Sequence, residues 1–404
     1  RKAQPAWAAR QLTERRRILK TAARELRKDV RPLSELLTRE VGKVSKESRD
    51  EILRTADLIE ATAAETGPFE PETNRSQDFP KGKPGRLQTV RRRPLGVVLA
   101  IAPFNYPVNL SATTRMARAF YRAGVPRALL PVVTGDTSKL GDYLVTHDAV
   151  DMVAMTGSTA VGKRIARKVG MIPLLLALGG NDPAIVLADA DLKLAAKNIV
   201  SGAFRYTGQR CTAIKRVYVV RSVADRLVEA IVAERDANFP TAADPRKVSV
   251  GPVISDQQAR YLKGVLQDAV RNGGDVVAGG TIDGRYVEPT VIDRVPHRAR
   301  VVCEEQFGPI LPIVRVKDAA EAVKLANDTE YGLQAAVFTK SLKQAEAIAE
   351  ALDVGGVHLN GPDQRGPDNF LFTGWKASGL GDQGIRYALE AMSRRKGAVR
   401  NRTR

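Results

Sequence analysis

The residue with the clearest chemical potential in this sequence is Cys211, in a stretch (residues 208–212) that reads Gly-Gln-Arg-Cys-Thr. A cysteine becomes a strong nucleophile when its pKa is lowered, and an adjacent cation or a helix N-terminus can lower it. Arg210 is such a neighbour. A lone cysteine is more often a small apolar core residue, but the polar neighbours of Cys211 indicate a turn rather than a core strand. The other cysteine, Cys303, follows two valines, and we expect it in the core.

Three further motifs carry residues suited to the chemistry of a carbonyl group and a nucleotide. Residues 103–107 read Pro-Phe-Asn-Tyr-Pro, where Asn105 either caps a turn or offers its amide to a developing oxyanion. Residues 156–162 read Thr-Gly-Ser-Thr-Ala-Val-Gly and can present backbone N–H groups to a pyrophosphate, although such turns also cap many helices. Residues 304–309 read Glu-Glu-Gln-Phe-Gly-Pro, and Glu305 by itself would be a surface carboxylate.

Taken together and in this order, these motifs resemble those of the aldehyde dehydrogenase superfamily. Within it the nearest likeness is to the non-phosphorylating, NADP-dependent glyceraldehyde-3-phosphate dehydrogenases, and the resemblance covers nearly the whole chain. It implies a thiohemiacetal and then a thioester on Cys211, with Asn105 and the Cys211 backbone N–H as the oxyanion hole. It also implies NADP (or NAD) as cofactor and a small phosphorylated aldehyde, glyceraldehyde 3-phosphate, as substrate.

The resemblance implies a set of cofactor-binding residues. They are Asp142, Thr156, Gly157, Ser158, Gly162, Leu178, Glu305 and Phe307. Glu305 matches the family's ribose-binding glutamate and Phe307 the neighbour of the nicotinamide, while Ser158 is expected to cap the following helix. Residues 135–137 read Gly-Asp-Thr and depart from the family's usual Gly-x-Gly.

A second implied set surrounds the substrate. It consists of Arg54, Tyr106, Arg210, Thr212, Arg365 and Arg386. Arginine suits a phosphate group because its planar guanidinium donates two parallel hydrogen bonds. Each arginine taken singly would be a surface residue, but together they favour a phosphorylated aldehyde.

One residue that the family requires is absent. The family motif Leu-Glu-Leu-Gly-Gly appears at residues 176–180 as Leu-Ala-Leu-Gly-Gly, so Ala177 stands where the general base would activate water. Alanine cannot accept a proton, and loss of general-base help costs about 10²–10⁴ in rate. Thiolate attack and hydride transfer do not need this base. We therefore expect acylation and one hydride transfer, followed by a stalled thioester.

The hydrophobic pattern predicts an α/β fold. Residues 11–65 read as helices with apolar stripes, and buried strands alternating with helices follow from residue 94, as in a parallel sheet. The predicted strands are 97–101, 129–133, 152–155, 184–187, 216–220, 310–316, 335–338 and 356–360. The predicted later helices are 191–205, 223–237, 256–271, 318–327 and 342–352.

The resemblance implies an aldehyde dehydrogenase-like architecture with two Rossmann-like parallel-sheet domains and a small β oligomerisation arm. It assigns residues 1–75, 94–178 and 362–385 to cofactor binding, 179–361 to a catalytic domain, and 76–93 with 386–404 to the arm. A homo-oligomer, a dimer or tetramer, is expected. The crossover at residues 108–127 holds only one helix where relatives carry helix, strand and helix, so it is short by roughly two dozen residues, more than a minimal crossover.

Composition narrows the other classes of function. The net charge of +19 suits anionic ligands, but the positive residues are scattered and only 5% of residues are aromatic, which argues against nucleic-acid binding. The longest apolar runs are too short to span a bilayer. No charged-then-apolar leader precedes Gln11, so we expect no secretory signal and a cytoplasmic location. The two cysteines and the three separated histidines, His147, His297 and His358, show no metal-ligand spacing, and we expect no metal site.

Three functions remain open on the sequence. The first is an aldehyde dehydrogenase-type oxidoreductase impaired in hydrolysis. The second is a CoA-acylating relative, since some relatives lack this glutamate and pass the thioester to CoA. The third is a degenerate protein kept for binding or oligomerisation, an interpretation that the short crossover and Ala177 favour.

Overall fold

The computed structural model describes residues 2–106, 112–239 and 249–401. Pro107, from the Asn105 motif, and residues 108–111 of the short crossover lie outside the described residues. The helices are α1 (Gln4–Ala8), α2 (Leu12–Lys28), α3 (Val30–Val41), α4 (Ser45–Ala64), α5 (Ala112–Arg122), α6 (Thr137–Val145), α7 (Thr159–Lys168), α8 (Leu192–Phe204), α9 (Arg221–Asn238), α10 (Asp256–Arg271), α11 (Arg300–Cys303), α12 (Ala319–Asn327), α13 (Leu342–Ala351) and α14 (Ile385–Ala391).

The strands follow the same chain order. They are β1 (Glu72–Arg75), β2 (Arg86–Pro94), β3 (Val98–Ile101), β4 (Met152–Thr156), β5 (Leu174–Ala177), β6 (Asp182–Val186), β7 (Ile214–Val220), β8 (Asp275–Ala278), β9 (Ile282–Asp283), β10 (Tyr286–Val287), β11 (Thr290–Asp293), β12 (Ile310–Val316), β13 (Tyr331–Gly332), β14 (Gln334–Phe338), β15 (Gly356–Leu359), β16 (Phe372–Thr373), β17 (Trp375–Lys376), β18 (Gly379–Leu380), β19 (Asp382–Gln383) and β20 (Ser393–Asn401).

The N-terminal helices α2, α3 and α4 pack on one another, as their apolar stripes predict. Leu26, Leu33, Leu37 and Ile52 are completely buried in one cluster. Helix α5 joins this layer through the buried Ala119. This helical layer lies next to the loop that follows β3.

A seven-stranded sheet forms the larger half of the molecule, in the order β15-β14-β6-β7-β12-β11-β8. Its pairs are parallel except the pair of β11 with β8. Along β6, Ala184 and Val186 point to one apolar cluster and Ile185 to the other, the alternation of a strand buried on both faces. The strand and helix predictions for this half are confirmed, and those for β12 and α10 match residue for residue.

A smaller sheet has the order β18-β5-β4-β3, with β3, β4 and β5 parallel and β18 antiparallel. The predicted strand at residues 129–133 is wrong. Residues Arg127–Leu129 form a 3-10 turn, and no strand follows before β4. Pro131 has no N–H to donate to a ladder, and Val133 is 64% exposed, so this segment contributes nothing to a core. Strand β3 therefore ends the sheet as an edge.

The third sheet is an antiparallel arm in the order β1-β2-β20. Strand β2 pairs with β20 along nine residues, from Arg86 opposite Asn401 to Pro94 opposite Ser393. The two-stranded pairs β13 with β17 and β16 with β19 link the chain end back to the two larger sheets. The α/β architecture with two parallel sheets and a β arm is thus present.

Two smaller findings complete the fold. Cys303 is exposed rather than in the core, because α11 turns only Val301 and Val302 inward and leaves the last residue of the helix outside. Within the described ranges, none of the helices is both long and apolar enough to cross a bilayer.

Candidate active site

Cys211 lies at the end of a strained turn between α8 and β7. Three consecutive residues before it, Tyr206, Thr207 and Gly208, have φ angles of 57°, 58° and 64°. This left-handed conformation costs a non-glycine residue about 1–2 kcal/mol, so the surroundings must hold it. The hydroxyl of Thr207 donates to the Gly251 carbonyl at 3.1 Å and accepts from the Gly251 N–H at 3.0 Å. Position 208 needs glycine, since a Cβ there would collide with the backbone of a neighbouring loop.

The Cys211 side chain is half-buried and packs against an apolar group made by Ala177, Leu333 and Phe372. Burial raises the pKa of the Cys211 thiol, and the cation that opposes this shift most is Lys215. The sequence predicts that the adjacent Arg210 fills this role. The guanidinium of Arg210, however, is buried and donates from Nη2 to the Gly202 carbonyl at 2.5 Å.

Lys215 is a site residue that the motifs did not identify. Its Nζ is buried beneath the nucleophile's turn and donates to the carbonyls of Arg210 at 2.8 Å and Cys211 at 3.2 Å. The same atom lies 3.7 Å from Glu305 Oε1 and 5.8 Å from the centre of the Phe307 ring. A lysine within the buried run of β7 is the signal that could have revealed it.

Asn105 lies against the same turn. Its Nδ2 donates to the Gln209 carbonyl at 2.9 Å, and the residue is buried. A primary amide has two N–H groups, and this bond engages one of them while fixing the orientation of the other. The geometry brings a donor suited to an oxyanion to the residues that carry Cys211.

Ala177 is the last residue of β5, paired with Thr156 on β4 and with Gly379 on β18. It is 5% exposed, and it packs against the apolar side chains of Leu333 and Phe372. The position therefore adjoins the nucleophile without offering it a proton acceptor.

The turn between β4 and α7 lies next to Ala177. Ser158 occupies the N-cap position of α7 as expected, although its exposed side chain makes no capping hydrogen bond. Thr159 does the local bonding instead: its hydroxyl accepts from the Gly179 N–H at 3.1 Å. Gly162 packs directly on the buried Leu178, where a Cβ would collide.

Glu305 lies against Gly179 and Gly180, and Phe307 is two residues further along the chain. Glu305 Oε1 accepts from the Gly180 N–H at 3.1 Å, and burial raises the pKa of this carboxyl. Phe307 has a φ of 50° and makes an edge contact with Phe104, the ring centres being 5.7 Å apart. These residues join the Asn105 loop and the Lys215 cation in one region.

Asp142 is placed differently from the other cofactor candidates. It lies on α6, where its Oδ2 pairs with Arg164 and Lys168 of α7 at 2.5 Å each. Hydrogen bonds from Lys168 and Arg164 lower the pKa of the Asp142 carboxyl. Its described contacts are on the outer surface of α6 and α7, not with Glu305.

Two of the arginines are bonded to each other, and one of them, Arg365, lies near the Cys211 group. Arg54 donates to the Asp368 carboxylate at 3.0 and 3.1 Å and to the Arg365 carbonyl at 2.8 Å. Arg365 stacks 4.9 Å from the centre of the Phe372 ring, which itself belongs to the group against Cys211. Burial lowers the pKa of Arg365.

The remaining substrate candidates divide between the site and the surface. The Tyr106 ring is 5.4 Å from the Tyr206 ring of the strained turn, and burial raises the pKa of Tyr106 to about 12. Thr212, next to the nucleophile, is 4% exposed. Arg386 lies on α14, exposed and paired with Glu390 at 3.1 Å, and its described contacts do not include the Cys211 group.

A pair of buried carboxyls also adjoins the site. Asp182 and Asp363 are each 1% exposed, and burial with the neighbouring Asp363 raises the pKa of Asp182. Burial raises the pKa of Asp363 to about 7. Asp182 Oδ1 accepts from the Gln334 N–H at 3.3 Å. Asp182 and Glu305 raise the pKa of the Cys211 thiol and so oppose the effect of Lys215.

The comparisons with known proteins agree with this arrangement. The model of the aldehyde dehydrogenase family matches residues 1–116 and 111–397, two segments that meet at the short crossover. An NADP-dependent glyceraldehyde-3-phosphate dehydrogenase from Streptococcus equinus is 41% identical over 421 residues, covering 98% of this chain and 88% of that protein. One from Nicotiana plumbaginifolia is 37% identical, covering 99% of this chain and 85% of that protein.

Solved structures of glyceraldehyde-3-phosphate dehydrogenases are similar to this chain as well. The NADP-dependent glyceraldehyde-3-phosphate dehydrogenase from Bacillus halodurans C-125, complexed with NADP, superposes with a TM-score of 0.95 at 44% identity. The match covers 99% of this chain and 89% of that one. The Methanocaldococcus jannaschii glyceraldehyde-3-phosphate dehydrogenase complexed with NADP gives a TM-score of 0.92 at 31% identity, covering 99% and 92%.

Proposed function

Because this chain belongs to the aldehyde dehydrogenase family of oxidoreductases, we propose that it oxidises glyceraldehyde 3-phosphate with NADP⁺ and then stalls as a thioester on Cys211. The observation that carries this proposal is the meeting of three elements at one turn. Cys211 lies above the Lys215 cation, Asn105 is bonded to the carbonyl of Gln209, and Ala177 packs on the same apolar group as Cys211.

The covalent step follows from these positions. The Cys211 thiolate attacks the aldehyde carbon, and the carbonyl oxygen gains negative charge. Fixed donors aimed at that charge stabilise it more in the transition state than in the ground state. Asn105 Nδ2 and the Cys211 backbone N–H are the donors that we assign. The positive charge of Lys215 lowers the pKa of Cys211 and so partly offsets the cost of burying the thiolate.

The residues present fit a nicotinamide dinucleotide. The turn that opens α7 supplies backbone N–H groups and a helix N-terminus for a pyrophosphate, and Lys163 and Arg164 add positive charge in its first turns. Glu305 supplies a carboxylate for ribose hydroxyls and Phe307 an aromatic face beside Lys215. When bound, the nicotinamide would accept a hydride. Thr156, Gly157, Ser158, Gly162 and Leu178 would border it, with Asp142 on the outer side.

Arginine chemistry supports a phosphorylated aldehyde. Arg54 and Arg365 are linked through Asp368 and reach the Cys211 group through Phe372. Their guanidinium groups can grip a phosphate bidentately. Tyr106, Arg210 and Thr212 would line the space nearer to the sulfur, and Arg386 would act only if substrate binding brought it inward.

Hydrolysis of the thioester is the step that we expect to fail. It needs a proton acceptor for water at position 177, where the chain has a methyl group among apolar side chains. A stopped-flow experiment with glyceraldehyde 3-phosphate and NADP⁺ should give about one NADPH per site and then stop, the burst expected when the second step is blocked. Mass spectrometry of the stopped enzyme should find the acyl group on Cys211. Steady turnover without added nucleophile would contradict the stalled version.

Two alternatives are outcomes of the same experiment. Turnover that appears only when CoA is added would favour a CoA-acylating enzyme, against which the paired arginines argue. Failure to bind NADP⁺, together with no burst, would favour a degenerate binding protein. NAD⁺ in place of NADP⁺ serves as the test of cofactor choice.

We also propose that the β arm joins protomers. Among the described residues β20 pairs only with β2, which leaves its other edge open, and eight of its nine residues, including Val399, are exposed. Such an edge is a template for pairing with another chain. Sedimentation of the intact chain and of a Val399→Lys variant tests whether this edge sustains a dimer or tetramer.

A further inference from the structure

Lys43 is a buried cation between the N-terminal helices and the Cys211 turn. It follows the glycine that ends α3, and its Nζ donates to the Glu51 carboxylate at 2.5 Å. The side chains of both residues are 5% exposed. The same Nζ donates to the backbone carbonyl of Asn105 at 3.0 Å. The ammonium group is thus bonded to the backbone of the residue that we assign to the oxyanion hole.

Two aromatic rings complete the surroundings of this cation. The Nζ of Lys43 is 4.4 Å from the centre of the Tyr106 ring and 4.0 Å from that of Tyr206. A cation over the face of an aromatic ring is attracted by its quadrupole, most strongly when both are desolvated. Tyr106 follows Asn105 in the chain, and Tyr206 begins the left-handed run before Cys211. One ammonium therefore touches both segments that must meet.

A second residue of the helical layer acts on the same turn. Glu47, one helical turn before Glu51 on α4, accepts from the Tyr206 backbone N–H at 2.9 Å. It is 8% exposed, so this bond is sheltered from water. The conformation of Tyr206 is disfavoured by itself, and Glu47 and Lys43 are the groups of this layer that hold it.

We propose that Lys43 is a positioning residue that fixes the distance between Asn105 and the Cys211 turn. The proposal rests on the proposed function, since it takes Asn105 as the donor to an oxyanion formed at Cys211. A buried ion pair stabilises a fold no better than apolar residues of similar volume, so stability alone does not account for Lys43 and Glu51. Their contacts with Asn105 and Tyr206 give them a geometric role.

The test replaces both members of the ion pair, while Glu47 keeps its hydrogen bond from the Tyr206 N–H and the nearby cations Arg205 and Arg210. In the double variant Lys43→Met, Glu51→Leu, the first-order rate constant of the NADPH burst should fall about 100-fold, the scale of a 1 Å misplacement at a reacting centre. Alkylation of Cys211 by neutral iodoacetamide needs no oxyanion donor and should change less than about threefold. A merely structural role would leave the burst unchanged or lower both rates together.

A control is the pair of the buried Arg235 and the partly buried Glu288, which are joined at 2.7 Å, with Arg235 also paired to the exposed Asp236. The variant Arg235→Met, Glu288→Leu should keep the burst rate of the parent. A single Tyr206→Leu variant, which removes one ring from the cation, should lie between the parent and the Lys43 variant.

A structural measurement keeps the outcome separate from the proposed function. Crystal structures of the parent and of the Lys43 double variant should differ in the Asn105 Nδ2 to Gln209 carbonyl bond, which we expect to be lost or lengthened. If that bond and the left-handed φ of Tyr206 both persist, Lys43 is not the positioning residue, whether or not the parent forms NADPH. If the parent forms none while the bond is lost in the variant, the positioning role stands and the proposed function fails.

Discussion

The two sheets built mainly of parallel strands differ in how fully their strands are buried. In the seven-stranded sheet, β6, β7 and β12 are buried along nearly their whole length between two apolar clusters. In the four-stranded sheet, β3 is an edge whose residues are only partly buried or exposed. The first sheet supports the nucleophile, and the second supports the turn assigned to the cofactor. Among the described residues, the sheet beside the nucleophile is thus buried on both faces, whereas the sheet to which we assign the cofactor ends in a partly exposed edge strand.

The largest expected effect comes from replacing the nucleophile, which should stop the reaction without affecting cofactor binding. Cys211→Ser should abolish the NADPH burst, a loss of at least about 10⁴-fold, because a serine without an adjacent base is a poor nucleophile at neutral pH. Binding of NADP⁺, measured by fluorescence or calorimetry, should be unchanged, since the assigned cofactor residues are elsewhere. An undiminished burst in this variant would place the chemistry on another residue.

The next prediction concerns the junction of the two sheets. Ala177→Glu places a carboxylate at the end of β5, against the group that holds Cys211, and should raise steady-state turnover about 10²–10⁴-fold by supplying a general base. The measurement is NADPH formation over many turnovers. Ala177→Gln, similar in size but a poor base, is the control. If Gln restores turnover as well as Glu does, the missing base is not what limits the parent.

Core truncations compare the stability of the two sheets directly. Ile185→Ala, at a completely buried position of β6, should cost about 2–5 kcal/mol in the free energy of unfolding. Leu99→Ala, on the partly buried edge strand β3, should cost less, about 1 kcal/mol. Urea unfolding followed by circular dichroism measures both. Equal losses would mean that β3 is packed as firmly as the central strands.

The smallest effect tests the electrostatics under the nucleophile. The Lys215 cation lowers the pKa of Cys211 against the burial that raises it. In Lys215→Met the thiolate loses this support, so the pH profile of Cys211 alkylation should move to higher pH and the rate at pH 7 should fall several-fold. Asp182, Glu305 and Arg365 also act on this thiol and remain in the variant. A profile unmoved by the substitution would exclude Lys215 from the activation of Cys211.

The candidate site was predictable where its residues belong to short local motifs. Asn105 and Cys211 each stand in a distinctive five-residue stretch, and the structure brings their segments together. Arg386 was assigned in the same way, yet its described contact is with Glu390 on its own helix. A motif identifies a residue type at a sequence position, but the direction of a long side chain depends on what packs around it.

Periodicity determined much of the fold by itself. The apolar run at residues 310–316 and the helical pattern at residues 256–271 predicted β12 and α10 with the bounds that the structure has. The apolar run at residues 129–133 gave the same signal but forms no strand. A strand needs a neighbouring ladder as well as apolar residues, and Pro131 removes a donor that such a ladder requires.

Which charged side chains lie at the candidate site depends on the tertiary structure. Lys215 lies four residues after Cys211, and its place in the buried run of β7 is the only local sign of it. Lys43 lies 62 residues before Asn105, and no local pattern marks it. Both are buried because carbonyl groups, a carboxylate or aromatic rings from distant segments surround their ammonium groups. Electrostatic interactions act through space and depend on burial. The sequence therefore determined the elements and the reacting residues, whereas folding determined which cations, carboxyls and apolar groups surround them.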